Sequence, residues 1–400
     1  MAFQQHRQVP EGDAVKIRLE RDVMAEAVAW AARSLPTRPS VPILAGLLVK
    51  AGPEGVTMSS FDYETSAQIN VRAEIVDAGE ALVSGRLLAD IARSLPNKPV
   101  ELTSDENRME IVCGSARFTL QTLPVADYPS LPEMPAATGT VTSDDFASAV
   151  GQVVVAAGRD ELLPVFTGVR VEIEGETLSL LATDRYRMAL KELPWRPANP
   201  QASGAALVPA KVLSETAKSM VAGDNVTMSL SNASAGDGLI GFEGEGSGGT
   251  RQITTRLLDG EFPKVRHLMN VQAALSVRVN TQELIASVKR VALVAERNTP
   301  LRMIIGDGQV ALEAATGDQA QASEAIEAVV ENHVGGEAPI TAAGFNPHYL
   351  SDALHALDTP YVHFSFTAPG KPCLVTGLAE LDGDPLPDYK HVIMLMRLPN

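Results

Sequence analysis

Arg38-Pro39-Ser40-Val41-Pro42-Ile43-Leu44-Ala45-Gly46-Leu47 is said three times by this chain. It returns as Arg159-Asp160-Glu161-Leu162-Leu163-Pro164-Val165-Phe166-Thr167-Gly168-Val169 and as Arg297-Asn298-Thr299-Pro300-Leu301-Arg302-Met303-Ile304-Ile305. Each time a helix-like run gives way to a basic residue, a proline and an apolar strand. Pro42 and Pro164 are 122 residues apart, and Pro164 and Pro300 are 136 apart. A second block follows in the same order: Val83-Ser84-Gly85-Arg86-Leu87-Leu88-Ala89-Asp90, Val208-Pro209-Ala210-Lys211-Val212-Leu213-Ser214-Glu215 and Phe345-Asn346-Pro347-His348-Tyr349-Leu350-Ser351-Asp352. A third closes each unit: Asp127-Tyr128-Pro129, Glu261-Phe262-Pro263 and Asp388-Tyr389-Lys390. The period is far above the roughly 20–50 residues of a solenoid, so each repeat reads as a domain with its own core.

Four hundred residues fit three domains, and 45% apolar residues can fill three cores. The expected boundaries are 14–134, 138–270 and 272–398, with 1–13 a loose N-terminal extension. No run of 18 apolar residues and no signal-peptide pattern occurs, so membrane insertion is not expected and a cytoplasmic location is. Cys113 and Cys373 are too few and too far apart for a disulfide framework or a zinc site. A net charge of −16 argues against a protein coated in basic patches. An acidic exterior can nonetheless coexist with a basic inner surface.

Periodicity gives each third two helices, each packed on short antiparallel strands, an α+β architecture of six similar half-domains. The first third reads as a strand at 14–20, a helix at 22–35, strands at 41–50, 55–62, 65–71 and 79–83, a helix at 85–95 and three strands from 100 to 123. Ser143-Asp144-Asp145 caps a helix running to about Gly158, and Pro209 opens one reaching Met220. The last third places helices at 282–296 and 347–357.

Several stretches carry a specific resemblance: Arg38 to Leu44, Ser84 to Ile91, Arg117-Phe118-Thr119-Leu120-Gln121-Thr122-Leu123-Pro124, and Ala182-Thr183-Asp184-Arg185-Tyr186-Arg187-Met188. Arg290 to Arg297 and the terminal Val392-Ile393-Met394-Leu395-Met396-Arg397-Leu398 continue it. From about Val15 to Leu398, the chain resembles the bacterial sliding clamps, the DNA polymerase III β subunits, in their high-GC Gram-positive form. The resemblance implies the DNA-clamp fold and a head-to-tail homodimer that closes a six-domain ring around duplex DNA. The implied partners are DNA, the DNA polymerase III α subunit, the clamp loader and other proteins with a clamp-binding motif. It implies no catalysis and no cofactor.

A ring that slides needs phosphate attraction that reads no base. Candidate DNA-facing residues are Arg38, Arg86, Arg93, Arg159, Lys211, Lys218, Lys289, Arg290 and Arg297; solvated helix faces are the alternative. The family's peptide pocket, carried over position by position, takes Phe166, Thr183, Arg185, Tyr186, Arg187 and Met188 from the second repeat. The neighbouring turn supplies Pro263, Arg266, His267 and Leu268, and the third repeat Asn346, Tyr349, Val392, Met394, Leu395, Met396 and Arg397. Soft methionines suit a surface that accepts several partners, although an ordinary buried final strand would look similar. Ring closure is expected where Phe118 and Leu120 meet the partner's Leu293 and Val294; both pairs could also be core.

The departures from the family sit in this pocket. Leu395 stands where the family usually has Pro, Phe166 where it has Leu, and Val265 and His267 lie where Tyr and Arg are common. They suggest a reshaped groove, and with it a paralogous, antibiotic-resistant copy that discriminates against a natural-product inhibitor. Competing classes are an enzyme with triplicated domains and a scaffold that has lost DNA loading. The motifs favour neither. Gly244 to Thr250 lacks the Gly-Lys of a phosphate loop and reads as a hairpin, and position 12 counted from Asp382 is Ile393 rather than the Glu of a calcium loop. No His-Glu-x-x-His occurs, and Asp184 beside Arg185 and Arg187 reads as local pairing.

Overall fold

Proline dictates the local shape at the repeated block. Its fixed φ and missing N–H suit the first position of a helical turn. In the computed structural model, which describes residues 14–231, 238–296 and 298–398, Pro42–Ala45 and Pro164–Thr167 each form one 3-10 turn. Leu44 N–H donates to Val41 at 3.1 Å and Phe166 N–H to Leu163 at 3.0 Å. The strand expected from Val41 therefore begins only at Gly46, after the turn. Gly46 and Gly168 end the two turns alike. A Cβ there would meet the Leu82 side chain at 2.6 Å and the Leu207 side chain at 2.8 Å. In the third repeat Pro300 leads straight into the strand Leu301–Ile305.

Six α-helices lie among the described residues: α1 Arg21–Ala32, α2 Gly85–Ser94, α3 Ser143–Val154, α4 Ala210–Ser219, α5 Thr281–Val291 and α6 Pro347–Ala356. Each repeat has two, as expected, but they stop short at the C-terminal end. α1 ends three residues early, α3 four, and α5 gives way to the 3-10 turn Ala292–Val294. On α1 the buried stripe is Met24, Ala27, Val28 and Ala31, at helical period. The glycine-rich stretch is a hairpin, Leu239–Gly246 turning into Gly249–Arg256 with Gly248 at φ +84°.

The sheets do not respect the repeat boundaries. A 14-stranded sheet joins strands of the first repeat to those of the second through Gly249–Arg256 beside Thr65–Val71, with Thr250 opposite Asn70 and Thr255 opposite Thr65. A nine-stranded sheet joins the second repeat to the third through Arg187–Pro194 beside Tyr389–Ile393, with Arg187 opposite Ile393 and Lys191 opposite Tyr389. Four further strands, Leu301–Ile305, Gln309–Thr316, Ala320–Glu327 and Ala342–Phe345, make a separate sheet. The chain thus compacts into two units. Among the described residues, one holds 14–146, 196–199 and 215–257; the other holds 147–195, 200–214 and 258–398. The middle repeat gives half of itself to each, because its two halves bury their backbone edges against different neighbours.

Within the first unit one buried cation ties a second-repeat strand to α1. Arg251 is 4% exposed. Its guanidinium donates to Glu26 at 2.7 Å, to the Ser219 carbonyl at 2.8 Å and to the Ser247 carbonyl at 3.0 Å. It also lies 5.1 Å from the Trp30 ring centroid. Removing it leaves two carbonyls without their donor, while Glu26, 43% exposed, regains water. Arg251→Ala is expected to cost about 2 kcal/mol, the scale of lost buried hydrogen bonds, and Arg251→Met less because it refills the volume. Urea denaturation of both variants checks this; equal midpoints for Ala and wild type would contradict it.

Candidate partner-binding groove and DNA-facing residues

The groove in the second unit begins with a tight turn. Strand Thr177–Thr183 reverses through Asp184-Arg185-Tyr186 into Arg187–Pro194. Asp184 Oδ1 accepts from the amides of Tyr186 and Arg187, both at 3.0 Å, and Thr183 Oγ1 accepts from Arg185 N–H at 3.1 Å while donating to the Arg187 carbonyl at 2.8 Å. These bonds hold Arg185 at φ +80°, a strained region for a side chain of this size. The first repeat makes the same turn. Asp62 accepts from Glu64 and Thr65, with Tyr63 at φ +75°, and Gly317 takes the equivalent place in the third at φ +46°.

Holding Arg185 there aims its guanidinium over Phe166, at 5.6 Å from the ring centroid, and over Tyr186, at 5.7 Å. Tyr186 stacks on Tyr349 of α6 with centroids 6.5 Å apart. Beneath them Arg187 is 9% exposed. It pairs with Asp184 at 3.1 Å and with Asp352 at 2.5 Å, and lies 4.4 Å from the Tyr349 ring centroid. Asn346 is used as the N-cap of α6, accepting from His348 N–H at 2.9 Å and Tyr349 N–H at 3.2 Å. Burial raises the Tyr349 hydroxyl pKa above its ordinary value, reinforced by the nearby Asp184 carboxylate.

The groove floor is apolar. Leu181, Met188, Leu190, Leu207, Phe262, Met269, Leu374 and Val392 form one buried cluster, with Val165, Val265, Leu268 and Met394 packed on it. Beside it lies a cleft of about 380 Å³ lined by Leu181, Phe262, Pro263, Val265, Arg266 and His267 among others. Its rim is an ion network. Glu172 bonds Arg170 at 2.6 Å and Arg266 at 3.1 Å, and Arg266 reaches Glu192 at 3.2 Å. Burial opposes ionisation of Glu172, but the hydrogen bonds from Arg170 and Arg266 outweigh it and hold its carboxyl below the usual range. The terminal stretch runs along the groove. Met394 N–H donates to the Tyr186 carbonyl at 2.9 Å and Met396 N–H to Gly344 at 2.8 Å, leaving Leu395 between them half-buried.

The pocket residues named from the sequence therefore gather around one turn, one apolar floor and the chain's last strand. Thr183, Met188 and Val392 are buried supports, while Arg185, Tyr186, His267 and Arg397 are exposed. Sequence reading missed Leu181, Phe262 and Glu172. Phe262 lay inside the repeated Glu261-Phe262-Pro263 block, and Leu181 shares a strand face with Thr183; Glu172 gave no signal, because its partner Arg266 is distant in sequence.

Of the DNA-facing candidates, Arg38, Arg86, Arg93, Arg159, Lys211, Lys218 and Lys289 are all exposed. Arg86 donates to the Pro36 carbonyl at 3.2 Å and Arg93 lies 3.9 Å from Asp90. Arg290 is engaged by Glu324, donating from Nε at 2.9 Å and from Nη2 at 2.5 Å. Arg297 lies outside the described residues. Phe118 and Leu293 are 36% and 82% exposed, whereas Leu120 is 5% exposed and packs inward in the single chain. Among the described residues no cluster of three His, Cys, Asp or Glu is placed to hold a metal, and no helix is long and apolar enough to cross a membrane.

The arrangement predicts that Arg187 anchors the groove. Arg187→Ala should destabilise the protein by about 3 kcal/mol, with Asp184 and Asp352 deprived of the cation between them, and Arg187→Lys by less. Thermal unfolding of the pair measures it; an unchanged midpoint for Arg187→Ala would contradict the arrangement.

Comparison with known proteins gives the same frame. Models of the DNA polymerase III beta subunit match in order: its N-terminal domain over residues 15–132, its central domain over 140–264 and its C-terminal domain over 268–397. The beta sliding clamp of Streptomyces coelicolor is 54% identical, covering 96% of this chain and 100% of that protein. The beta sliding clamp homolog GriR of Streptomyces muensis is 39% identical, over 96% and 99%. Among solved structures, the Bacillus subtilis clamp superposes with a TM-score of 0.85 at 24% identity, covering 96% of this chain and 100% of that one. A Pseudomonas aeruginosa clamp bound to griselimycin gives 0.84 at 23%, over 96% and 100%. This chain belongs to the DNA polymerase III beta subunit family, the bacterial sliding clamps.

Proposed function

We propose that two copies of this chain close head to tail into a ring that encircles duplex DNA, slides on it, and tethers the DNA polymerase III α subunit, the clamp loader and other partners through the groove. The chain itself catalyses nothing in this reading, needs no cofactor and works in the cytoplasm on the nucleoid. The observation that carries ring closure is a pair of free backbone edges. Among the described residues, strand Ala116–Leu123 is paired along one side, but on the other only Thr122 and Leu123 find partners, so Ala116–Gln121 is open. Strand Ala320–Glu327 is likewise the outer strand of its sheet. Open edges invite pairing, and a symmetric dimer satisfies both at once. The exposed Arg117 and Phe118 on one edge face the acidic Glu324 and Glu327 of the other in this pairing, with Leu293 and Val294 covering Phe118, while Leu120 stays in its own core.

The three repeats fall at 14–134, 138–270 and 272–398 in this proposal, with the exposed cations of the repeated helices and loops facing the DNA. Phosphate attraction of that kind carries no base information, so it lets the ring move. The groove supplies specificity by seating a short extended peptide: apolar anchors on the Leu181–Phe262–Val392 floor, polar orientation from Arg185, His267 and Arg397. Stimulation of polymerase processivity on primed circular DNA tests the function. Long products that appear only with both clamp and loader support it; a scaffold that has lost loading would give none.

Phe166 and Leu395 favour a second element, a groove selective against a natural product such as the griselimycin held by the P. aeruginosa clamp. Because the bonded amides are those of Met394 and Met396, Leu395→Pro leaves both bonds intact. Fluorescence titration of a clamp-binding peptide and of griselimycin is expected to show Leu395→Pro tightening the inhibitor at least about threefold more than the peptide, the scale of a single contact of under 1 kcal/mol. Equal shifts for the two ligands, or none, would remove the selectivity.

A further inference from the structure

The second helix of each repeat carries its outward basic side chains at the same two places. On α2 they are Arg86 and Arg93, and on α4 Lys211 and Lys218. The register that aligns Gly85-Arg86 with Ala210-Lys211 aligns both with Pro347-His348, and so puts histidines at the two places on α6, His348 and His355. All six side chains are exposed. Two helical turns separate the members of each pair, so each pair shares one helix face. The third repeat thus keeps the positions of the cations and changes their chemistry, from permanently charged groups to imidazoles. Histidine is the side chain whose ordinary titration lies between about pH 5 and 8.

The surroundings suit an anion. His348 and His355 line a cleft of about 840 Å³ together with Lys289, Asn298, Thr299 and Ser351. His355 Nδ1 lies 2.8 Å from the Ser351 carbonyl, which can only accept, so Nδ1 carries the hydrogen and Nε2 is the atom that takes up the second proton. His355 also sits in the last turn of α6, where a positive charge meets the negative end of the helix dipole. The other charges facing the pair are few. Lys289 and Glu296 line the same cleft, and Asp352 and Asp358 line the neighbouring one beside His355, with Asp352 already paired to Arg187. The α3 side chains lining that second cleft carry no ionisable group. Behind α6, His391 is fully buried; burial and the nearby Arg187 push it down to about 3, so it stays neutral through the range at issue. His363, also buried, is pushed down to about 4.

We infer that His348 and His355 are the third repeat's DNA-phosphate contacts, and that they grip only when protonated. The inference rests on the clamp reading above. Imidazolium Nε2–H donates a charge-assisted hydrogen bond to a phosphate oxygen, which the neutral ring cannot offer with a charge behind it. Because phosphate binds the protonated form better, DNA binding takes up protons, and acidification tightens the hold of the ring on DNA. The first two repeats hold a constant charge; the third adjusts friction on the duplex with pH.

Fluorescence anisotropy of a labelled duplex with the full-length dimer tests this, across a salt series at about pH 6 and about pH 8. Each phosphate contact adds about 0.9 to the salt slope, so two protonated histidines in each subunit, four in the dimer, add roughly 3.6 to it, and a fourfold rise in salt weakens wild type roughly a hundredfold more at the lower pH. The His348→Gln/His355→Gln double variant should keep the shallow slope at both pH values, and His348→Lys/His355→Lys the steep one at both. A wild-type slope unchanged by pH, or a Gln variant that still steepens, overturns the assignment. Arg38→Ala separates the histidine assignment from the clamp reading. If it weakens binding at both pH values while the histidine variants match wild type, the histidine assignment alone fails. If neither wild type nor any variant shows salt-dependent duplex binding, the clamp reading fails and takes the inference with it.

Discussion

Backbone hydrogen bonding across the repeat seams is the constraint on which this molecule depends. Every strand of a repeat that ended at its own boundary would leave a row of unpaired N–H and C=O groups. The chain resolves this by sharing sheets, at Thr65–Asn70 with Thr250–Thr255 and at Arg187–Lys191 with Tyr389–Ile393. Side chains alternate faces along a strand, so a slip of one residue at the second seam would turn Met188 and Val392 away from the cluster they share. The partner groove is therefore a product of register. Its turn, Asp184-Arg185-Tyr186, and its last strand residues, Met394 to Arg397, emerge from the same end of that seam.

Electrostatics follows a similar economy. The chain is strongly acidic overall, with a net charge of −16, yet exposed cations recur at matched positions of α2 and α4. Several acidic groups are spent on arginines: Asp184 and Asp352 on Arg187, Glu172 and Glu192 on Arg266, Glu26 on Arg251. Those pairs fix geometry. In the proposed ring the exposed cations on the helices are left to meet a polyanion, and non-specific attraction is the kind that permits movement.

Much of this was legible in the sequence because repetition turns weak local signals into strong ones. The proline blocks and the two helices per repeat follow from aligned positions, while the groove candidates come from a resemblance carried by Ala182–Met188 and the terminal strand. What was not legible depended on tertiary neighbours. Val41 to Ala45 has strand-like composition, but Pro42 imposes a turn. Phe118 and Leu120 lie two apart on the same face of one strand, and only the fold shows that Leu120 is covered while Phe118 is left exposed. Arg290 looked as available as Lys289 until Glu324, 34 residues further on, proved to hold it. The compact units could not be read at all, since the cut through the middle repeat depends on which strands pair and not on any linker.

The claim at the centre is retention by encirclement, with attraction secondary. The direct measurement is to load the protein onto nicked circular duplex with its loader, isolate the complex, and then cut the circle once. Encirclement predicts a complex that persists on the circle in moderate salt and is lost promptly once free ends exist. A protein that stays bound to the cut DNA, or leaves the intact circle just as fast, would contradict the account.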